Sequence, residues 1–166
     1  MQQPRFRSVH LLPCAGLTSA TTDDAAALGE DFFVALDAGR GEISVQTEGS
    51  LEITLTADAA HPPSWCEFRW DGELEPSLPR VIVRLEAEAE DPVRLNPALR
   101  LMGEDGFSDV FSGQPVTIGP GRFVVEREIR PSPANLEGRD RMNLHLFIEP
   151  RSQTFALHTL MLTALR

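Results

Sequence analysis

The chain has 166 residues, 42% of them hydrophobic and 24% charged, which is enough to enclose one core without disulfides or a metal. Its net charge is -10, and the excess lies in the first half: residues 1–90 carry 16 acidic and 6 basic side chains, residues 91–166 carry 9 of each. A surface of that sign repels phosphate backbones and anionic head groups, which sets nucleic acid and membrane aside as partners.

Strand signals dominate from the start. Arg5–Leu12 reads as a first strand. The apolar stretch around it is short and broken by His10 and Pro13, so it lacks the unbroken core of an export signal, and the cytoplasm is the expected compartment. Pro13–Asp31 is polar and rich in alanine. Within it Thr22–Gly29 predicts at most a short helix near residues 23–29, capped by Thr22 or Asp23 and stopped by Gly29. Phe32–Asp37 and Glu42–Thr47 read as a pair of strands about the turn Ala38–Gly41. Leu51–Thr56 then alternates cleanly, with Leu51, Ile53 and Leu55 inward.

After a loop at Ala57–Ser64, the stretch Trp65–Trp70 sets Trp65, Glu67 and Arg69 on one face and Cys66, Phe68 and Trp70 on the other. Asp71–Pro79 is an acidic loop. Arg80–Glu90 is the longest regular alternation and predicts a strand with one wet face, as in an antiparallel sheet. Ala98–Met102 follows, then the loop Gly103–Asp109, the short strand Val116–Ile118, and Arg122–Arg130 beyond the turn Gly119–Gly121. Pro131–Arg141 is a long exposed loop.

Two alternating runs close the chain, Met142–Glu149 and Thr154–Leu165, with Pro150-Arg-Ser-Gln153 between them. They read as a β-hairpin. With Glu149 facing Thr154, Ile148 meets Phe155, Leu146 meets Leu157 and Leu144 meets Thr159. The opposite face then sets Phe147 against Ala156 and His145 against His158. Ten or so short strands without α/β alternation predict an all-β fold, a two-sheet antiparallel sandwich or jelly roll, in a single domain spanning residues 1–166.

The candidate ligand-binding face is the outer side of that hairpin: Asn143, His145, Phe147 and Glu149, with His158 beside His145 and Arg151 at the turn. Two imidazoles so close could share a metal ion, but a catalytic zinc takes three protein ligands, and the paired-histidine motif of cupin metal sites is absent; whether a metal binds is left open. Trp65, Trp70, Phe107 and Phe111 could stack on a sugar ring, the alternative for each being a place in the core. Phe107, in a polar loop, has less structural reason to be apolar, although a loop phenylalanine usually caps the end of a core. Glu104, Asp105 and Asp109 could hold calcium, against the simpler reading of a surface turn. Cys14 and Cys66 are too few for a disulfide framework and read as unpaired small apolar residues.

All 15 basic residues are arginine and there is no tyrosine, which removes Schiff-base lysines and phenolic acids from consideration. No nucleophile elbow, phosphate-cradling loop, His-Glu-x-x-His or Cys-x-x-Cys occurs, so an enzyme is disfavoured and no cofactor is expected.

The run Arg122-Phe-Val-Val-Glu-Arg-Glu-Ile129, the long loop, Leu144-His-Leu-Phe-Ile-Glu-Pro150 and Phe155-Ala-Leu-His-Thr-Leu-Met-Leu162 together resemble, over residues 80–165, the galactose-binding-type jelly roll shared by many carbohydrate-binding modules. The resemblance implies a noncatalytic domain that binds sugars through one sheet face or the loops at one end. The alternative is a protein-interaction or accessory module, a homo-oligomer or a subunit, whose hairpin face covers another chain; Phe147, Leu160 and Leu162, read as exposed beside the histidines, favour it.

Overall fold

Period-two alternation produces the architecture, because each strand can bury only one of its faces. The computed structural model describes residues 6–12, 16–74 and 80–165. The expectations for Cys14 and for residues 75–79 of the acidic loop lie outside the described residues.

Two antiparallel seven-stranded sheets face each other. The first runs β12 (Gly121–Ile129), β8 (Arg80–Ala89), β14 (Gln153–Leu165), β6 (Leu51–Ala57), β5 (Gly41–Gln46) and β2 (Ala20–Thr22), with β1 (Phe6–Leu12) paired along the second half of β14. The second runs β10 (Gly106–Phe111), β9 (Val93–Gly103), β13 (Arg141–Ile148), β7 (Cys66–Leu74), β4 (Phe32–Leu36) and β3 (Ala25–Ala27), with β11 (Val116–Ile118) also on β9. We call them sheet A and sheet B. Val81, Val83, Leu85, Leu157 and Phe155 of sheet A meet Phe68, Leu99, Leu144, Leu146 and Ile148 of sheet B in one core. Phe32 and Phe68 stack there with ring centroids 5.7 Å apart. The fold is an all-β jelly-roll sandwich.

The closing hairpin is not a hairpin. β13 pairs with β7 and β9 in sheet B, whereas β14 pairs with β6, β8 and β1 in sheet A. Residues 149–152 carry the chain from one sheet to the other, so Leu146 and Leu157 face across the core. The same correction applies at Ala38–Gly41, which joins β4 of sheet B to β5 of sheet A. An arch between sheets and a hairpin within one bury the same alternate residues, so their sequence patterns coincide.

A second shift occurs inside β14. Leu157 stands opposite Ala87, but Thr159 stands opposite Glu86, so His158 forms a bulge. The extra residue reverses the phase of the strand, and Leu160, Leu162 and Ala164 point into the core where unbroken alternation puts Thr159, Met161 and Thr163. Leu160 is 0% exposed and Leu162 1%, so neither contributes the apolar surface expected of a partner-binding face.

Where a short helix is predicted near residues 23–29, Ala20–Thr22 and Ala25–Ala27 instead complete the edges of the two sheets, pairing with β5 and β4. Thr22 Oγ1 accepts the Asp24 N–H at 3.1 Å, a local turn and not a helix cap. A run of alanines carries only identical methyl groups, which define no apolar or polar face, so the neighbouring strand decides its conformation. The helix among the described residues is α1 (Pro133–Leu136), capped by Ser132 and Asn135 in a reciprocal capping box.

The expected loop Gly103–Asp109 is mostly strand: β9 and β10 form a tight hairpin with Gly103 opposite Gly106. The residues after α1 are fastened to this hairpin. The Asp140 N–H donates to Met102 O at 3.0 Å, and Arg139 Nη1 to Gly106 O at 3.0 Å. A Cβ on Gly103 would lie 2.2 Å from Gly138 O, so glycine is required at this crossing.

Candidate functional site

The outer face of sheet B is built from side chains that alternate away from the core. β7 contributes Glu67, Arg69 and Asp71; β13 contributes Asn143, His145 and Phe147; β9 contributes Asn96, Ala98 and Arg100; β10 contributes Phe107, Asp109 and Phe111. The register sets them in rows. Phe33, Arg69, His145, Ala98 and Phe111 form one row across five strands. Asn143, Arg100 and Asp109 form the next.

A bulge adjusts this lattice. Between Met142 and Leu144, β7 spends Asp71, Gly72 and Glu73 against the single residue Asn143. That turns Asp71 towards the amide of Asn143, whose Nδ2 donates to Asp71 Oδ1 at 3.1 Å. Gly72 is needed here because the indole of Trp70 lies across it: a Cβ would come within 2.0 Å of the ring.

The polar groups are held by one another. Arg100 donates through Nε and Nη2 to the two carboxylate oxygens of Asp109, both at 2.8 Å. That bidentate hydrogen bond raises the Arg100 pKa against the opposing effect of burial. The guanidinium also lies 4.0 Å from the ring centre of Phe107, which is 60% exposed. Arg69 covers Phe33 at 4.7 Å and forms an ion pair with Asp71, Nε lying 2.8 Å from Oδ1 without hydrogen-bond geometry. Beneath them His145 Nδ1 lies 2.5 Å from Glu67 Oε2, and Nε2 lies 3.1 Å from Asn143 Oδ1. Phe147 stacks on the His145 ring at 5.9 Å and meets Phe111 at 5.7 Å.

This lattice encloses a depression of about 340 Å³ among Arg69, Asp71, Arg100, Phe107, Asn143 and His145. A second, of about 290 Å³, lies past Phe147 beside Asn96, Pro115 and Glu149. A concave face that combines exposed aromatic rings with fixed planar hydrogen-bonding groups suits a ligand with both apolar C–H faces and many hydroxyls.

Of the residues singled out in the sequence, Asn143, His145 and Phe147 share this face, and Glu149 sits at its far end. Arg151 donates to Glu149 Oε2 at 3.0 Å and also to Pro92 O. His158 is on sheet A, where its Nε2 lies 3.1 Å from Glu88 Oε2, so it is not beside His145. It borders a hollow of about 1050 Å³, together with Glu52, Glu88, Glu90, Asp91 and Arg151. That hollow is larger but lined by carboxylates with no exposed aromatic ring, and it offers no stacking surface.

Trp65 is 41% exposed in the loop before β7, where its carbonyl accepts the Asp37 N–H. Trp70 is a core residue, because the alternation of β7 turns it inward. Among the described residues no three His, Cys, Asp or Glu side chains are placed to hold a metal ion. Asp109, weighed for calcium, is the partner of Arg100.

Sequence reasoning missed Arg69, Asp71 and Arg100 as site residues. Arg69 and Glu67 were visible on one face of their strand, but only the pairing of β7 with β13 brings them to Asn143 and His145. Phe107 was noted as an aromatic in a loop, and its strand went unread because β10 turns its aromatic residues outward.

Solved structures share this fold. The family 11 carbohydrate-binding module of the cellulosomal cellulase Lic26A-Cel5E of Clostridium thermocellum superposes with a TM-score of 0.54 at 11% identity, covering 89% of this chain and 95% of that one. The CBM22-1 xylan-binding domain of Paenibacillus barcinonensis Xyn10C gives a TM-score of 0.50 at 10% identity, covering 91% and 97%. The BiXyn10A CBM1 domain gives 0.51 at 11% identity, covering 95% and 96%. The chain therefore has the jelly-roll fold of carbohydrate-binding modules. No family model matches the sequence, and no curated protein does.

Proposed function

We propose that the chain is a noncatalytic carbohydrate-binding domain whose ligand lies on the outer face of sheet B. The observation that carries this reading is the pairing of exposed aromatic rings with fixed planar polar groups: Phe107 lies over the Arg100–Asp109 pair, and Phe111 meets the half-buried Phe147, which stacks on His145. A sugar presents C–H groups on its ring faces and hydroxyls at its edges, and this surface offers partners for both.

The face holds carboxylates and arginines in near balance, in a chain of net charge -10, which favours neutral sugars over anionic ones. Its carboxylates are engaged: Asp109 by Arg100, Asp71 by Arg69 and Asn143, Glu67 by His145. None is left poised as a general acid, which supports binding without hydrolysis. The module-like fold agrees with the reading without requiring it.

An oligosaccharide array followed by calorimetry tests the proposal. At least one neutral oligosaccharide should bind, with heat lost when Arg100 is replaced by alanine. An array without binders at millimolar concentration would sink it.

A further inference from the structure

One group on this face lies at the floor of the depression with almost no surface of its own and still governs the polar lattice above it. His145 is 1% exposed and Glu67 4%, and Phe147 closes over the imidazole. Both ring nitrogens face acceptors: Nδ1 faces Glu67 Oε2 at 2.5 Å, Nε2 faces Asn143 Oδ1 at 3.1 Å. The orientation of the Asn143 amide follows from its other end, because Nδ2 donates to Asp71 Oδ1. Turning the amide over would set its oxygen against that carboxylate. A bare Nε2 would set a lone pair against Oδ1, at a depth where an unmet polar contact is costly. Nε2 therefore carries a proton.

The contact between Nδ1 and Glu67 Oε2 needs a proton as well. Histidine and glutamate together hold two protons and no net charge. The remaining links close a loop of five side chains: Glu67 Oε1 lies 3.7 Å from Arg69 Nη1, and Arg69 Nε lies 2.8 Å from Asp71 Oδ1. The charged groups around the imidazole are Glu67, Arg69 and Asp71 from β7, with Arg100 of β9 and Asp109 of β10 beyond Asn143. Ala98, its register partner on β9, adds none.

We propose that His145 is a positioning residue, which carries a proton on Nε2 and through it aims Asn143 and Asp71 into the groove. The use of that aim in sugar binding rests on the function proposed above; the proton assignment does not. Loss of the Nε2 proton leaves a net negative charge under Phe147 and releases the Asn143 amide, which frees Asp71 in turn.

The test is a long-range 1H–15N spectrum of the histidine rings at neutral pH. The His145 Nε2 signal should stand in its proton-bearing position, with a cross-peak to its attached proton. The Asn143 side-chain NH2 pair should be sharp and well dispersed in the same sample. A His145 ring that is protonated at Nδ1 alone at neutral pH overturns the proposal. In variants, His145→Gln retains a donor towards Asn143 and should keep the NH2 pair ordered, whereas His145→Phe should lose it. If His145→Phe does not fold, the wild-type spectrum and His145→Gln still decide; an NH2 pair scrambled in His145→Gln counts against the proposal. No readout uses a sugar, so a chain without glycan affinity would leave this result standing, and the reverse also holds.

Discussion

Replacing Phe107 by alanine separates the binding face from the rest of the surface. The ring is 60% exposed and touches the Arg100 guanidinium at 4.0 Å. Its removal therefore loses a contact worth about 0.5–1 kcal/mol at an exposed site, and Tm should fall by no more than about 2–4 °C. Binding should suffer more specifically. Loss of one aromatic stacking partner is worth about 0.5–1.5 kcal/mol, or roughly a 2- to 13-fold rise in Kd. The assay is titration calorimetry with an oligosaccharide selected on the array, comparing wild type, Phe107→Ala and Phe123→Ala. Phe123 is the appropriate control, because it is 42% exposed but lies on β12 at the edge of sheet A. If Phe123→Ala weakens binding while Phe107→Ala leaves it unchanged, the reasoning that assigns the ligand to sheet B is refuted.

The bulge in β14 predicts opposite fates for adjacent residues: Leu160→Ala, in the core, should cost about 2–5 kcal/mol in urea unfolding, whereas Met161→Ala should cost less than about 1. Equal losses would mean that the phase of the strand is wrong. Burial pushes the Cys66 thiol up to about 12 from 9.0, with the neighbouring Glu67 adding to the effect. The folded chain then holds a proton that the unfolded chain releases above about pH 9, so this contribution is intact below that pH and is lost as the pH rises towards 12, at up to about 1.4 kcal/mol per unit. Urea midpoints at successive pH values should fall less steeply in Cys66→Ala than in wild type; identical alkaline slopes would contradict the assignment. In a Cys14→Ser background the native protein should resist a thiol reagent until it is unfolded. Acrylamide should quench two tryptophan populations, and Trp65→Phe should remove the accessible one, since Trp70 is buried.

The layered fold was legible because apolar residues recur at every second position along Leu51–Thr56, Arg80–Glu90 and Met142–Glu149, and such repeats have few other solutions. Which strands lie side by side was not. Ile148 and Phe155 point into the core whether they are neighbours in one sheet or face each other from two, so alternation cannot separate the cases. The placement of His145 beside His158 failed for that reason. The bulge at His158 left a trace in hindsight: Leu160, Leu162 and Ala164 are more apolar than Thr159 and Thr163, which fits a reversal of phase. On the site, Asn143, His145 and Phe147 were visible as one strand face. Their partners were not, because Asp71 reaches Asn143 only through a bulge in β7, and Arg100 reaches it through strand order. β10 was hidden by its inversion, with Phe107 and Phe111 turned towards water and Ser108 and Val110 inward.

The most direct measurement is an amide chemical-shift map of the 15N-labelled protein titrated with the best-binding oligosaccharide from the array. The account predicts the largest shifts at Arg69, Asp71, Arg100, Phe107, Asn143 and Phe147, with sheet A residues such as Arg84, Arg122 and His158 unmoved. Shifts concentrated on sheet A around His158 and Glu88 would contradict it.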